Sequence, residues 1–114
     1  MARRRRRVAP PPRAPEWDLH YLDLAAEEGW GELSNQAPGP TRDAYDQIRR
    51  DPKHVSGRQH PLRGDLAMKT IGGMVMRHWQ YEVLGGARIW YAIDEANHTL
   101  ILTHAGVGHP KETE

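Results

Sequence analysis

The chain lacks cysteine and phenylalanine, and no apolar run in it is long enough to cross a membrane as a helix. Without cysteine it can form neither disulfide bonds nor a thiolate metal site, which is typical of proteins in a reducing compartment. A secretory signal has an apolar segment after its basic residues, and no such segment follows the N-terminal arginines of this chain. These features predict a cytoplasmic protein, and the length of 114 residues predicts one folded domain.

Charge is distributed unevenly along the chain. The net charge is +1, but residues 1–13 hold six arginines and no acid, which leaves ten basic and fifteen acidic residues in the remainder. Basic segments of this kind bind phosphate backbones through salt-sensitive contacts. Five arginines of the segment are therefore candidate nucleic-acid-binding residues: Arg3, Arg4, Arg5, Arg6 and Arg7. A solubilising leader or a mis-assigned start codon would give the same pattern.

Prolines accompany these arginines at the start of the chain. Proline has no backbone N–H and cannot continue a helix or a paired strand, and like charges oppose burial. Residues 1–15 are therefore predicted to form a disordered arm, and residues 16–114 to form the folded domain.

The spacing of apolar residues in 16–114 predicts one strand, two helices and then four strands. The predicted ranges are 16–21 for the first strand, 22–33 and 41–51 for the helices, and 66–71, 74–84, 88–94 and 99–104 for the later strands. Thr41 is the predicted N-cap of the second helix, after a breaker segment at 37–40. Residues 51–65 are predicted to be a polar connection. Tight glycine turns between the later strands predict an α+β domain with a mostly antiparallel sheet.

Three local motifs accompany this order of elements. Asp51-Pro52 closes the second helix and is followed by Leu62-Arg63-Gly64. The segment 82–94, EVLGGARIWYAID, is a glycine hairpin followed by a strand with Arg88, and the tail at 108–111 reads Gly-His-Pro-Lys. In combination, these motifs and the element order resemble the RelE/ParE superfamily of small bacterial toxins. The resemblance covers residues 16–114.

The resemblance implies a fold, an activity and partners. In this superfamily two N-terminal helices pack on one face of a twisted, mostly antiparallel sheet of four to five strands. The implied function is the toxin of a type II toxin–antitoxin module, which inhibits translation by cleaving mRNA on the ribosome without a metal. The implied partners are a cognate antitoxin protein and ribosome-bound mRNA, and neither a cofactor nor a membrane is expected.

Metal-independent RNA cleavage requires a base for the ribose 2′-hydroxyl, a cation at the pentavalent phosphate and an acid for the leaving 5′-oxygen. Arg88 is the candidate cation, because its planar guanidinium matches phosphate oxygens and stays protonated. His109 is the candidate acid–base group, since imidazole titrates near neutral pH. Lys111 can neutralise phosphate charge. Arg77 lies on the strand predicted to pair with that of Arg88 and completes the candidate catalytic set.

Each candidate also has a purely structural interpretation. Arg88 can form an ion pair with Asp94 or Glu82 on the sheet surface, and His109 and Lys111 can be solvated tail residues. Arg77 shares strand parity with core aromatic residues and can lie at the edge of the core.

Trp90 and His104 are further candidates for RNA binding. An outward-facing Trp90 can stack on a base, cover the sheet or hold an antitoxin peptide. His104 and His78 can line the same cleft or be packed. Because no histidine pair shows the H-E-x-x-H spacing and cysteine is absent, no metal site is predicted.

Two alternatives to mRNA cleavage stay open. The mRNA-cleaving members of the superfamily carry lysines on the strand before the hairpin, where this chain has Trp79 and Tyr81. The loss of these charges favours a ParE-like toxin that inhibits a DNA topoisomerase without cleaving nucleic acid, or a catalytically idle RelE-fold binding module. His109 and Lys111 in the tail favour mRNA cleavage, which is the leading hypothesis.

Overall fold

A computed structural model describes residues 5–107, and within this range two helices lie on one face of a six-stranded sheet. The helices are α1 (Leu24–Gln36) and α2 (Pro38–Arg50), and the strands are β1 (Asp18–Tyr21), β2 (Gln59–Pro61), β3 (Met68–Ile71), β4 (Met74–Leu84), β5 (Ala87–Asp94) and β6 (Thr99–Gly106). The predicted α+β class with a mostly antiparallel sheet is confirmed. The sheet has one strand more than expected, because the predicted polar connection at 51–65 contains β2.

The strand order is β1-β6-β5-β4-β2, and β3 pairs with the same strand β4 further along its length. β1 runs parallel to β6, whereas all other pairs are antiparallel. The hairpin between β4 and β5 turns at Gly85, whose φ of 55° lies in the left-handed region that glycine adopts without strain. These two hairpin-joined strands and β6 form the centre of the sheet.

The start of α2 differs from the sequence prediction. The predicted breaker segment 37–40 belongs mostly to the helix, with Pro38 at its first position. Proline is compatible with the first helical turn because the N–H groups there have no acceptor within the helix. Thr41 is therefore not the N-cap. It is buried instead, and its hydroxyl donates a hydrogen bond to Leu33 O at 3.2 Å, which joins the two helices.

The hydrophobic core lies between the helices and the sheet. Its largest fully buried side chains include Tyr45 of α2 and Tyr91 of β5. At Gly29 of α1 a Cβ atom would lie 2.1 Å from Ala105 O of β6, so the helix backbone rests directly on the strand backbone. This close approach fixes the distance between α1 and the sheet.

Residues 6–8 belong to the segment predicted to be disordered, and they lie along the outer edge of β1. Val8 N donates to Leu19 O at 2.7 Å, and Tyr21 N donates to Arg6 O at 2.9 Å. Val8 is 1% exposed and belongs to the core. A buried valine and two backbone hydrogen bonds outweigh the effect of the neighbouring prolines and charges.

Acidic side chains neutralise the arginines of this segment. Arg6 forms an ion pair with Glu27 at 3.1 Å, and Arg7 forms one with Asp18 at 2.9 Å. Partial burial opposes ionisation of Asp18, but hydrogen bonds from Arg7 and His20 outweigh it and lower the pKa of this carboxyl group. The like-charge repulsion expected from the sequence is therefore compensated locally.

Candidate functional site

Strand alternation divides the residues of β4 and β5 between two faces of the sheet. Trp79, Tyr81 and Tyr91 point towards the helices and belong to the main core. His78 and Gln80 alternate with them, and Gln80 is the cross-strand partner of Trp90. We call the surface that carries His78, Gln80 and Trp90, opposite the helices, the open face.

A segment between β2 and β3 arches over part of the open face. Both ends of this arch, residues 62–67, are held by the backbone of one residue of β4. Leu62 N donates to His78 O at 2.9 Å, and His78 N donates to Ala67 O at 3.0 Å. The chain between these two bonds is thereby displaced from the sheet edge, and a cleft forms beside it.

The cleft has a volume of about 390 Å³. Its floor is formed by side chains of three central strands and its rim by the arch and β3. The lining residues are Asp65, Leu66, Met68, Lys69, Thr70, His78, Trp90, Thr103 and His104. Two imidazoles, an ammonium group, a carboxylate and two hydroxyls therefore meet in one concave site on the open face.

His78 is held by hydrogen bonds at both ring nitrogens. Nδ1 lies 3.0 Å from Leu66 O, and Nε2 lies 2.7 Å from Thr103 Oγ1. Burial lowers the pKa of His78 to about 4; the bond to Leu66 opposes this change and the charge of Lys69 adds to it. The imidazole is therefore neutral at neutral pH. Since a carbonyl oxygen only accepts, the proton is on Nδ1.

Trp90 contacts polar side chains of both neighbouring strands, β4 and β6. Its Nε1 donates to Gln80 Oε1 at 2.8 Å, and its ring lies 5.5 Å from the His78 ring and 5.6 Å from the His104 ring. Trp90 lies on the open face as the alternation predicted, but it is only 5% exposed. The expectation of an exposed aromatic anchor is therefore wrong, because the indole is enclosed by the Gln80 amide and the two adjacent imidazoles.

Arg88 is on the same face of β5 as Trp90. Its cross-strand partners are Glu82 on β4 and Gly106 on β6. The predicted neighbour Glu82 is thus in register with it. His109 and Lys111, the candidates from the tail, lie outside the described residues, which end at position 107.

Arg77 does not join this group. It is exposed, and its cross-strand partner is Ile93, which belongs to the core beneath the helices. Arg77 and Arg88 therefore lie on opposite faces of the sheet.

The candidate arginines of the N-terminal segment divide into three groups. Arg3 and Arg4 lie outside the described residues, and Arg5 is half-buried. Arg6 and Arg7 are partly exposed but have the acidic partners named above.

Trp79 and Tyr81 are buried on the side of the helices, so a lysine at either position would lie in the core. Their presence therefore removes no positive charge from the open face. The residue of β4 that lines the cleft is His78, and the positive charge at the rim comes from Lys69.

Sequence reasoning gave His78 only a minor role and missed Thr103, Lys69 and Asp65. The alternation along β4 puts His78 on the same face as Gln80, opposite Trp79. This pattern could have indicated that His78 faces away from the helices. Thr103 was not predictable in this way, because the register of β5 and β6 shifts between Trp90 and Tyr91. A bulge of this kind interrupts the alternation of side chains, and it places Thr103 next to His104 in the cleft.

Residues 5–107 contain no cluster of three or more histidine, aspartate or glutamate side chains able to hold a metal ion. In the same part of the chain no helix has the length and apolar character needed to span a membrane.

No protein-family model matches the chain, and no curated protein matches its sequence. Among solved structures, the fold is similar to that of a chain in the toxin–antitoxin complex RelBE2 from Mycobacterium tuberculosis. The TM-score is 0.53 at 16% sequence identity, and the match covers 81% of this chain and 98% of the other. At this identity the likeness concerns the fold, and it shows that the chain has the RelE-like fold that its motifs resemble.

Proposed function

We propose that this chain is the toxin of a type II toxin–antitoxin module and inhibits translation as a ribosome-dependent mRNA endonuclease. The observation that carries the proposal is the cleft on the open face of a RelE-like sheet, where Lys69, His78 and His104 line one site. Arg88 precedes Trp90 by two residues on β5, so both lie on the same face, and Trp90 is on the floor of the cleft. Cations and imidazoles grouped in a concave site suit a phosphodiester substrate.

In the proposed reaction a base removes the proton of the ribose 2′-hydroxyl, and the 2′-oxygen attacks phosphorus to form a 2′-O–P bond. The P–O5′ bond breaks, and an acid protonates the leaving 5′-oxygen. Arg88 stabilises the negative charge that develops on the pentavalent phosphate. His109 takes part in the proton transfers, and Lys111 neutralises an adjacent phosphate. Gly106 is the cross-strand partner of Arg88 and precedes His109 by three residues, which is why we assign both side chains to one phosphodiester.

Ribosome dependence is supported by the charge of the chain. Residues 14–114 have a net charge of −5 with histidine neutral, so they supply little general attraction for RNA. The ribosome would hold the mRNA, and Arg3, Arg4 and Arg5 would add salt-sensitive contacts to phosphates, because Arg6 and Arg7 already have acidic partners. A cytoplasmic location follows from this proposal.

The proposed protein partner is an antitoxin with an acidic segment that covers the open face near Arg88. The complementary charges are Arg88 and Lys69, and binding there would block the cleft. Titration with the product of a neighbouring gene should protect amides of β5 and β6 from exchange. Protection restricted to the helix-covered side would contradict this docking site.

The test of cleavage uses induction of the chain in a bacterial host, with mapping of mRNA 5′ ends. Arg88→Ala and His109→Ala should each abolish growth arrest and cleavage, because loss of a charge stabiliser or an acid–base group costs about 10²- to 10⁴-fold in rate. Arg77→Ala is the matched control, since this exposed arginine is on the opposite face. Circular dichroism should show all three variants folded.

Growth arrest without new mRNA ends would contradict the nuclease proposal. If Arg88→Ala and His109→Ala were folded and still toxic, inhibition of a DNA topoisomerase by protein contact would be the better account. An untoxic parent chain in several hosts would favour a binding module without catalysis.

A further inference from the structure

Thr103 occupies an unusual position in the cleft. It is half-buried at the bulge between β5 and β6, and its Oγ1 lies 2.7 Å from His78 Nε2. His78 itself is 2% exposed, so Thr103 is the more accessible member of the pair. A ligand in the cleft would meet the threonine hydroxyl before the imidazole.

The bond to Leu66 determines which partner of this pair donates. Leu66 O can only accept, so His78 Nδ1 carries the proton and Nε2 of the neutral ring is an acceptor. The hydroxyl of Thr103 must therefore donate its single proton to Nε2. The lone pairs of Thr103 Oγ1 are left for the cleft, and they can accept a hydrogen bond but have no proton to offer.

The other groups at the cleft are compatible with a polar, anionic ligand. Lys69 at the rim supplies a positive charge, Asp65 supplies a second acceptor, and His104 adds an imidazole. The volume of about 390 Å³ lies in the range of small-ligand sites. The ligand must combine a negative charge with a hydrogen-bond donor, as a ribonucleotide does with its phosphate and 2′-hydroxyl.

We propose that Thr103 is a specificity-determining residue that accepts a hydrogen bond from the ribose 2′-hydroxyl and so distinguishes RNA from DNA in this cleft. The inference rests on the proposed function, since it assigns a substrate group to the same site. His78 acts here as a positioning residue that fixes the direction of the Thr103 hydroxyl. Its low basicity makes it a poor general base near neutral pH, which is consistent with a role in orientation.

The test measures binding rather than cleavage. Short single-stranded oligonucleotides of one sequence, with 2′-hydroxyl, 2′-amino, 2′-fluoro or 2′-deoxy sugars, are titrated into the full chain without ribosomes. Low salt and a high concentration of the chain make this binding measurable, because the chain alone attracts RNA weakly. The hydroxyl and amino forms can donate a hydrogen bond, whereas the fluoro and deoxy forms cannot. The donating pair should bind about threefold to tenfold more tightly, as expected for one hydrogen bond.

Two substitutions identify the residue responsible. Thr103→Val keeps the branched shape but removes the hydroxyl, so the four oligonucleotides should bind with equal affinity. Thr103→Ser keeps the hydroxyl and should preserve the preference. If Thr103→Val did not fold, the ranking of the four sugars by the parent chain and by Thr103→Ser would still decide the matter.

The outcomes separate this inference from the proposed function. Equal binding of all four sugars by the parent chain, or no binding of any, would overturn the role of Thr103, even if mRNA were cleaved in cells. An unchanged preference in folded Thr103→Val would overturn it as well. A preference that Thr103→Val abolishes would support the role of Thr103, even if the chain failed to cleave mRNA.

Discussion

Trp79 and Trp90 lie on adjacent strands and are almost equally buried, at 6% and 5% exposure, but on opposite faces of the sheet. Trp79 stacks near Tyr91 in the main core at 6.5 Å, and among the described residues its indole Nε1 has no hydrogen-bond partner. Trp90 instead donates to Gln80 Oε1 and contacts two imidazoles. Trp79 therefore contributes volume alone to the helix-covered core, whereas Trp90 on the open face is also held by a directed polar bond.

The largest expected effect concerns the helix-covered face. Trp79→Ala should lower the free energy of unfolding by about 3–5 kcal/mol, because it leaves a large cavity in the core. Urea denaturation followed by circular dichroism measures the change. Val75→Ala is the matched control, since Val75 shares the strand and the parity of Trp79 but is 62% exposed. If both variants lost the same stability, the core would not be centred on this face.

The next effect belongs to the open face and depends on pH. The pKa of His78 is lowered to about 4 from 6.5 by burial, so the folded chain keeps this ring neutral while the unfolded chain binds a proton. Above pH 6.5 the ring is neutral in both states, and the free energy of unfolding does not depend on it. As the pH falls from 6.5 towards 4, the unfolded state gains a proton and the free energy of unfolding decreases. The loss is at most about 3 kcal/mol.

Comparison of the parent chain with His78→Gln at several pH values isolates this contribution. The variant should show a shallower fall in the free energy of unfolding between pH 6.5 and pH 4. Val75→Ala, an exposed substitution on the same strand that changes no titratable group, should retain the slope of the parent. A parent-like slope in His78→Gln would mean that the open face does not bury a neutral imidazole.

A third, smaller effect tests the contact between α1 and β6. Gly29→Ala should destabilise the fold by about 1–3 kcal/mol, because its Cβ would lie 2.1 Å from Ala105 O. Gly31 is on the same helix, and a Cβ there would have no neighbour within 4 Å. Gly31→Ala should therefore stabilise the chain by up to about 1 kcal/mol through helix propensity. Thermal unfolding compares the two, and equal changes would contradict the close helix–strand contact.

The smallest effect sharpens the comparison of the two tryptophans. Trp90→Phe should cost about 1 kcal/mol more than Trp79→Phe, because it leaves Gln80 Oε1 without its donor. Trp79→Phe loses volume but also removes a buried N–H group. Paired denaturation curves give the difference, and the reverse order would show that polar bonds contribute little on the open face.

Much of the sheet could be predicted from the sequence because its signals are local. The bounds of β4, 74–84, agree with the prediction, since a two-residue alternation ends at glycine pairs on both sides. The same alternation correctly assigned Arg88 and Trp90 to the face opposite the core. β2 was missed, because three residues without apolar alternation give too short a pattern.

The site was harder to predict because it depends on contacts between distant segments. The burial of Trp90 depends on imidazoles from the two neighbouring strands. The sequence of the arch at 62–67 gives no sign that Asp65 and Leu66 line the same cleft. The direction of Thr103 depends on a bulge, which breaks the alternation on which sequence reasoning relies. Val8 is buried in the core, but it lies in a segment rich in arginine and proline. That composition predicts disorder, so a single apolar residue gave no sign of burial.

The segment Arg6–Val8 has a consequence for association between molecules. A bare outer edge of β1 would offer the carbonyl of Leu19 and the N–H of Tyr21 as a template for a strand of another chain. Both groups are already bonded within the molecule. The arginines beside them form ion pairs with Glu27 and Asp18, which hold the segment on this edge. The segment thus covers an edge that would otherwise favour aggregation. A variant that lacks residues 1–8 would expose unpaired backbone groups of β1.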